Sequence, residues 1–596
     1  MIQIRSLFSR WRGIGLAASL ATLAVLGVRY LGVLQSLEWA AYDQFVRWRS
    51  SAQLPPDDRI KIVTIDEPDL SAGGQALISD RALAQVLRAL AAQDPYVIGL
   101  DLYRDLPVPP GHQDLVAALR EIPNVVGIQK VGHPSIVPQP VLKELERSTA
   151  SDFVVDGDNQ VRRGFLFLMG NQGETIDAFG PRLALTFLEA QNIYFEKLSE
   201  DYWRLGAATF KRFGGFDGGY VRAHTGAYQL LINYRGSGQQ FEYIPFRDVI
   251  AGQFPPNWAR NRIVLIGTTA ESLNDVFPAP VSGIGLFQSP NRLSGVEIHA
   301  HIIAQILDAA QGTRPLIQPI AEPLEILWTL AWSALGAIVV WPGRIRESLP
   351  LFRMGSPKWQ LLGQLGIMLG LLGVLMGSSY MLFVEAIWLP IVPPALGFIT
   401  AGGAIALYNA NQVNQLRLKN EILDRLANVD GLTQVANRRS FDLYLQDASA
   451  QAQKQEQSIA LILCDVDYFK RYNDTCGHQA GDDCLRQVAQ ALSSSVKQPG
   501  CLVARYGGEE FAIILPGLEQ AQVEAIAVTI QQTLVHLALP HPTSAVSPQI
   551  TLSLGIAIAA RPQPSFDPAQ LIRWADQALY QAKEDGRNRY CTVWVD

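Results

Sequence analysis

The chain has 596 residues, of which 48% are hydrophobic and only 17% charged. That length admits three or four structural units, and so apolar a composition argues against a wholly soluble protein. A net charge of −6 gives none of the basic excess that a duplex-DNA surface needs, so nucleic acid is not an expected partner.

Ile14 to Val28 is apolar and follows Arg5, Arg10 and Arg12. Arg29 interrupts the run and Tyr30 to Leu34 continues it; an arginine near a helix end can extend its charge to the membrane surface. Residues 1–34 are therefore expected to hold a transmembrane helix. A cleaved signal peptide is the rival reading, but no clear small-x-small cleavage site follows the apolar run. Both readings export what comes next.

Residues 35–320 read as an outer domain. "IKIVTID" (Ile60 to Asp66) is a buried-strand pattern. "SDRALAQVLRALAAQ" opens on a Ser79 cap and spaces Leu83, Val86, Leu87 and Leu90 as one helical stripe. "YVIGLD" (Tyr96 to Asp101), a helix to Arg120, "NVVGIQ" and "RIVLIGTTAE" (Arg262 to Glu271) continue the alternation. Strands alternating with helices predict a parallel or mixed α/β sheet. Asp66 and Asp101 end two of these strands, where such sheets gather ligands; capping a helix or turn is the other role open to them. His299 and His301 in "EIHAHI" suggest a metal, but residues two apart on a helix point to different faces, which favours core histidines.

Three further apolar spans are expected, at 323–343 (uncharged from Ile326 to Gly343), 361–383 and 386–408. Each is long enough to cross a hydrocarbon core of about 30 Å as a helix. Pro390, Pro393 and Pro394 are expected to kink the last. Arg344, Arg346, Arg353 and Lys358 follow the second span, and Arg417, Lys419 and Arg425 follow the last. The positive-inside rule then puts both stretches in the cytosol, the N-terminus inside and the domain at 35–320 outside. All five cysteines lie at Cys464 or later, which fits a reducing compartment for the C-terminal part alone. Residues 409–429 form a linker in which Val413, Leu416, Ile422, Leu423, Leu426 and Val429 approximate one helical stripe. It suits a short coiled coil between two subunits, or a helix packed on its own domain.

In residues 430–596, "IALILCDVDYFKRYND" is a strand ending in Asp465 and Asp467, and "CLVARYGGEEFAIILP" is a hairpin turning at Gly507 and Gly508. If the two are neighbours, Asp465 meets Glu509 and Glu510 at one sheet end. Three hard oxygen ligands suit Mg²⁺ held together with substrate phosphates, and two such ions can activate a hydroxyl and neutralise a leaving group.

Two resemblances emerge. The run from "VTIDEPDL" through "RIVLIGTTAESLNDVFPAP" to "LSGVEIHAHIIAQIL", followed by apolar spans, resembles the second type of CHASE domain, an extracytosolic sensor module. "ALISDR" replaces the proline- and tryptophan-containing stretch usual before that family's first helix, so the outer ligand is unknown. Residues 420–596 resemble a GGDEF domain through "DGLTQVANRR", "DVDYFKRYND", "GHQAGDDCL", "RYGGEEF", "SLGIA" and "ADQALYQAKEDGRNR", in that order.

The resemblances imply a multidomain α/β membrane protein: an α/β sensor outside, transmembrane helices, and a cytosolic domain with the α/β fold of polymerase palms and nucleotidyl cyclases. They imply a multi-pass protein of a bacterial inner membrane making cyclic di-GMP from two GTP across a homodimer. A catalytically silent nucleotide receptor is the alternative. By resemblance, Mg²⁺ (or Mn²⁺) would sit on Asp465, the Val466 carbonyl, Glu509 and Glu510, with Glu509 also the general base. Asn473 and Asp482 would bind guanine, with His478 beside them. Lys470, Lys583 and Arg587 would hold the triphosphate, with Gly507 and Gly508 admitting it. Lys583 and Arg587 would share a helical face if their helix persists. The family's Arg-x-x-Asp inhibitory site is expected to be missing, because Gln498 and Cys501 stand at its two positions. No Glu-Ala-Leu motif follows, so a joint cyclase–phosphodiesterase is not expected.

Overall fold

A computed structural model describes residues 2–50, 54–72, 77–170, 173–236, 239–281, 292–341, 357–563 and 566–595. The chain divides into two units, Met1–Asn409 and Ala410–Asp596.

The first unit is built on six parallel strands, in the order Glu242–Pro245, Ile60–Ile65, Ile263–Thr268, Val97–Asp101, Val125–Gln129 and Ser148–Ala150. Its central strands are largely apolar because both faces are covered. Ile60, Ile62, Val97, Ile263 and Leu265 face one core with helices Phe179–Glu189 and Gly295–Ala310. Val63, Ile65, Ile98, Val264 and Ile266 face the other, with Leu83, Val86, Leu87 and Leu90 of helix Asp80–Ala91. The Ser79 hydroxyl caps that helix by accepting from the Ala82 amide. Gly99 lets a helix approach closely, since a Cβ there would lie 2.5 Å from Leu183.

A second, antiparallel sheet centred on Val161–Met169 has no counterpart in the sequence-based reading. Its strand buries Arg162 and Arg163. Arg162 pairs with Asp43 at 2.7 Å and Asp156 at 3.1 Å, and Arg163 with Asp156 at 2.7 Å. Burial of two arginines requires this full set of partners.

His299 and His301 are core residues. His299 packs against Phe153 and Phe179, and His301 against Tyr234 and Phe241. Burial pushes both imidazoles down to about 3, so they are neutral. Asp66 caps the short helix Glu67–Ala72 and pairs with Arg247 at 2.6 Å. Asp101 differs: its Oδ2 is buried without a partner, and burial together with Asp275 holds its carboxyl well above the carboxylate range.

Among the described residues, three helices are long and apolar enough to cross a membrane: Trp11–Tyr30, Glu322–Val340 and Leu362–Val384. Arg29 does not extend outward as its position suggests. It is buried in an ion pair with Glu325 and donates to the Gly218 carbonyl at 2.9 Å. The apolar run 386–408 is helical only from Val392 and is not among the three. Ala386 takes a φ of 63°, and Ile387–Trp388 pairs with Gln318–Pro319 as a short strand. Prolines fit a helix's first turn but not its interior, which sets the start there. The helix still packs in the bundle. Phe398 is buried with Trp332 and Leu375, and a Cβ on Gly336 would lie 2.1 Å from the Phe398 carbonyl oxygen. Arg344, Arg346 and Arg353, on which the cytosolic assignment of that loop rests, lie outside the described residues, as does the Lys358 side chain.

The second unit is a five-stranded sheet ordered Leu502–Gly507, Glu510–Pro516, Ile459–Val466, Leu552–Ala559 and Tyr590–Val595, antiparallel except for its last pair. Helices His478–Ser495 and Gln520–Leu537 cover one face; Arg438–Gln455 and Pro568–Glu584 cover the other. Gly555 of "SLGIA" is where helix Pro568–Glu584 touches the sheet: a Cβ would lie 2.1 Å from the Ala575 carbonyl oxygen. In the linker helix, Val413, Leu416, Ile422 and Leu423 are exposed in the single chain, and the Leu426 side chain is outside the description.

Candidate functional site

Strand Ile459–Val466 alternates its side chains, so Asp465 lies on the side of Leu461 and Leu463, facing helix Pro568–Glu584. Lys583, in the last turn of that helix, reaches Asp465 Oδ2 at 2.8 Å. The antiparallel register sets Asp465 opposite Glu510, and Glu509 occupies the turn just before it. Burial raises the Asp465 carboxyl above its ordinary range; Lys583 opposes this, and Glu509 and Glu510 add to it. The sheet end is therefore a half-buried group of acids short of positive charge. Among the described residues, no three His, Cys, Asp or Glu side chains are arranged to hold a metal ion. The donor chemistry does fit a hard cation: oxygen atoms only, with a lysine ammonium already drawn to the Asp465 carboxylate.

Asp467, two residues on, is a structural residue that the sequence reading did not separate from Asp465. Its carboxylate accepts from Thr551 Oγ1 and Ser553 Oγ, both at 2.7 Å, and from the Asn588 amide at 3.1 Å. The signal was Ser553 of "SLGIA", but using it requires knowing that this strand lies alongside.

Gly507 and Gly508 are open: an added Cβ at either meets nothing within 4 Å, and Gly508 has a φ of +52° that favours glycine. The turn is braced from behind. Arg505 donates to the Gly508 carbonyl at 2.9 Å and pairs with Asp430 at 3.1 Å. Asp430 also accepts from the Thr433 amide and hydroxyl, which ties "DGLT" to the signature turn. Burial alone would raise Asp430's carboxyl, but the two Thr433 bonds and then the Arg505 guanidinium hold it below the usual range.

Asn473 lies in helix Phe469–Cys476 with its Oδ1 buried and without a partner. Gly481 abuts it so closely that a Cβ would sit 1.8 Å from that oxygen. Asp482, next to Gly481, is exposed, as are His478 and Lys470. The arrangement offers an unfilled acceptor beside an exposed carboxylate. Lys583 and Arg587 do not share a helical face, because the helix ends at Glu584 and Arg587 has a φ of 66°. Gly586, at φ 109°, ends it. The chain folds back instead, and the Arg587 guanidinium stacks 4.5 Å from the Tyr468 ring centre. At the two positions of the missing inhibitory motif, the Gln498 side chain accepts from the Lys497 amide and Cys501 is half-buried.

Residues 20–338 match the family model described as CHASE2 domain, and residues 427–589 the model described as Diguanylate cyclase, GGDEF domain. The probable diguanylate cyclase DgcT of Escherichia coli (strain K12) is 34% identical over 170 residues, 28% of this chain and 36% of that protein. The cyclic di-GMP phosphodiesterase PdeR of the same strain is 33% identical over 183 residues, 31% of this chain and 26% of that protein. A crystal structure of the coiled coil and GGDEF domain of DgcB from Caulobacter crescentus, in complex with c-di-GMP, is 35% identical. It covers 32% of this chain and 98% of its own, with a TM-score of 0.29. The chain spans between 26% and 52% of the curated relatives it first matches.

Proposed function

The chain belongs to the CHASE2-domain family and carries a GGDEF domain after it, and on that footing we propose that it is a membrane-bound diguanylate cyclase governed by its outer sensor. Residues 35–320 would lie outside the cell, residues 430–596 inside, and 409–429 would link them as a helix pairing with a second copy. The observation that carries the reading is the acid group of Asp465, Glu509 and Glu510 beside an open diglycine turn, with Lys583 at its edge.

Each domain would bind one GTP. The Asn473 carboxamide and Asp482 carboxylate supply acceptors for the N1–H and amino group of guanine, with His478 beside them. Lys470, Lys583 and Arg587 neutralise the triphosphate, and Gly507 and Gly508 let it approach the backbone. Asp465, the Val466 carbonyl, Glu509 and Glu510 would hold Mg²⁺ or Mn²⁺, which supplies charge neutralisation on the phosphates. Glu509 accepts the ribose 3′-hydroxyl proton. The 3′-oxygen then bonds the α-phosphorus of the GTP on the facing subunit, and the α–β phosphoanhydride breaks to release pyrophosphate. A second such step closes the ring. Holding the two substrates face to face supplies much of the acceleration, so the dimer is part of the mechanism.

The test is to incubate the purified full-length chain with GTP and Mg²⁺ and identify products by mass spectrometry. Cyclic di-GMP and pyrophosphate are expected, with ATP disfavoured on the order of 10⁴-fold by a site built to hydrogen-bond guanine. No cyclic di-GMP from a folded dimer overturns the proposal.

A further inference from the structure

Beside candidate span Leu362–Val384, a cavity of about 620 Å³ opens between that helix, helix Gln35–Ser50 and the outer domain. Its lining combines aromatic and apolar Trp48, Tyr380 and Val384 with the guanidiniums of Arg49, Arg235 and Arg314 and the carboxylate of Asp308. The three guanidiniums are not equivalent. Arg235 pairs with Asp308 at 2.7 Å and Asp57 at 3.4 Å, and Arg59 pairs with the same two aspartates. Those four charges balance, yet Arg235 Nε is buried with no hydrogen-bond partner.

Arg314 donates to the Asn233 and Tyr234 carbonyl oxygens, each at 2.8 Å, and Arg49 donates to Asn233 Oδ1 at 3.1 Å. Both bonds go to neutral acceptors. Burial and then the Arg49 charge push the Arg314 guanidinium down to about 9, with Asp308 partly offsetting them. Burial likewise lowers Arg49, with Tyr42, Tyr380 and Glu385 acting against it. Among the described residues neither Arg49 nor Arg314 forms an ion pair, and two partly buried cations so placed are costly until an anion joins them. Guanidinium forks match phosphate oxygens, and aromatic side chains at the end of a span lie at headgroup depth.

We propose that this cavity binds an anionic phospholipid, its phosphate held by Arg49, Arg235 and Arg314 and its apolar part lying along Trp48, Tyr380 and Val384. A free phosphate satisfies the arginines but makes no use of the apolar lining, which is why a lipid is the better occupant. Its ligand would touch both the CHASE2 region, through Arg235 and Arg314, and the membrane helix carrying Tyr380. The site lies within residues 1–409 and its occupancy is read without reference to cyclase activity.

The experiment titrates the full-length chain in neutral detergent with phosphatidylglycerol, phosphatidylcholine or inorganic phosphate. Native mass spectrometry counts retained lipid, and hydrogen exchange follows residues 47–50 and 313–316. One phosphatidylglycerol per chain is expected, bound about tenfold more tightly than phosphatidylcholine, a difference of ~1.4 kcal/mol, with slowed exchange in both segments. Arg49→Gln should bring the two lipids to equal affinity. Equal retention of both lipids by the wild type overturns the proposal, as does equal protection by inorganic phosphate alone. Unchanged selectivity in a folded Arg49→Gln chain overturns it too. Should that variant not fold, the wild-type comparison of lipids decides alone.

Discussion

At the end of strand Ile459–Val466, Asp467 has both carboxylate oxygens satisfied by Thr551, Ser553 and the Asn588 amide, while among the described residues Asp465 pairs with Lys583 alone. The first is a clamp and the second is open to a ligand. Substituting the two kinds of residue should therefore give opposite signatures. Asp467→Ala leaves two hydroxyls and an amide unpaired in the interior and should cost about 3 kcal/mol, seen as a lower urea midpoint of residues 410–596. Glu509→Gln, half-exposed in a turn, should leave that midpoint unchanged and reduce cyclic di-GMP formation by roughly 10²–10⁴-fold. A stable Asp467→Ala domain, or a fast Glu509→Gln enzyme, would reverse the assignment. Sequence spacing alone could not separate the two aspartates. Their difference depends on Ser553, 86 residues away in the chain, and strand order is not written in a local pattern.

Among the elements, helix Gly295–Ala310 shows what periodicity can and cannot reveal. Its spacing put His299 and His301 on different faces, yet both faces are buried, because the helix lies between two sheets and carries an almost continuous buried surface. Both histidines have folded-state values near 3 against an ordinary 6.5. The unfolded chain therefore gains protons that the folded one refuses, and stability falls as pH drops below 6.5 toward 3. The slope approaches about 1.4 kcal/mol per pH unit for each histidine. Thermal unfolding of the full chain between pH 6.5 and 5 should show this fall, and the His299→Phe/His301→Phe variant should show a flatter one. Parallel profiles for the two proteins would mean that other groups carry the acid response. Strand Val161–Met169 was not legible for the converse reason: "VRRGFLFLM" opens on two adjacent arginines, which read as exposed until Asp43 and Asp156 arrive to neutralise them. At helix Pro568–Glu584 the signal was present in "EDGRNR". Gly586 is a helix stop, and it outweighs the i, i+4 spacing of Lys583 and Arg587.

For the molecule as a whole, orientation and control follow from where particular residues are missing. Every cysteine lies at Cys464 or later, and Cys476 is exposed. An impermeant thiol reagent should leave the wild-type chain unlabelled in intact cells and label Cys476 after lysis, whereas Glu200→Cys should label without lysis. The reverse pattern would invert the proposed topology. Control of the proposed cyclase activity turns on a second absence. An inhibitory site for cyclic di-GMP needs a guanidinium fork and a carboxylate, and those two positions hold Gln498 and Cys501. Arg505 is the nearest substitute in the sequence, but it is committed to the Gly508 carbonyl and to Asp430. Diverting it would release the turn that carries Glu509. Product should therefore restrain the enzyme weakly, by competing with GTP at the active site, and regulation would fall to the outer domain and to how the two cyclase domains are brought face to face. Initial rates of the full-length chain against rising cyclic di-GMP, at several GTP concentrations, measure this directly. Inhibition that fades as GTP is raised is the expected result. Potent inhibition at low micromolar product that GTP does not relieve would require a separate product site, and Arg505→Ala would then be the first variant to examine for its loss.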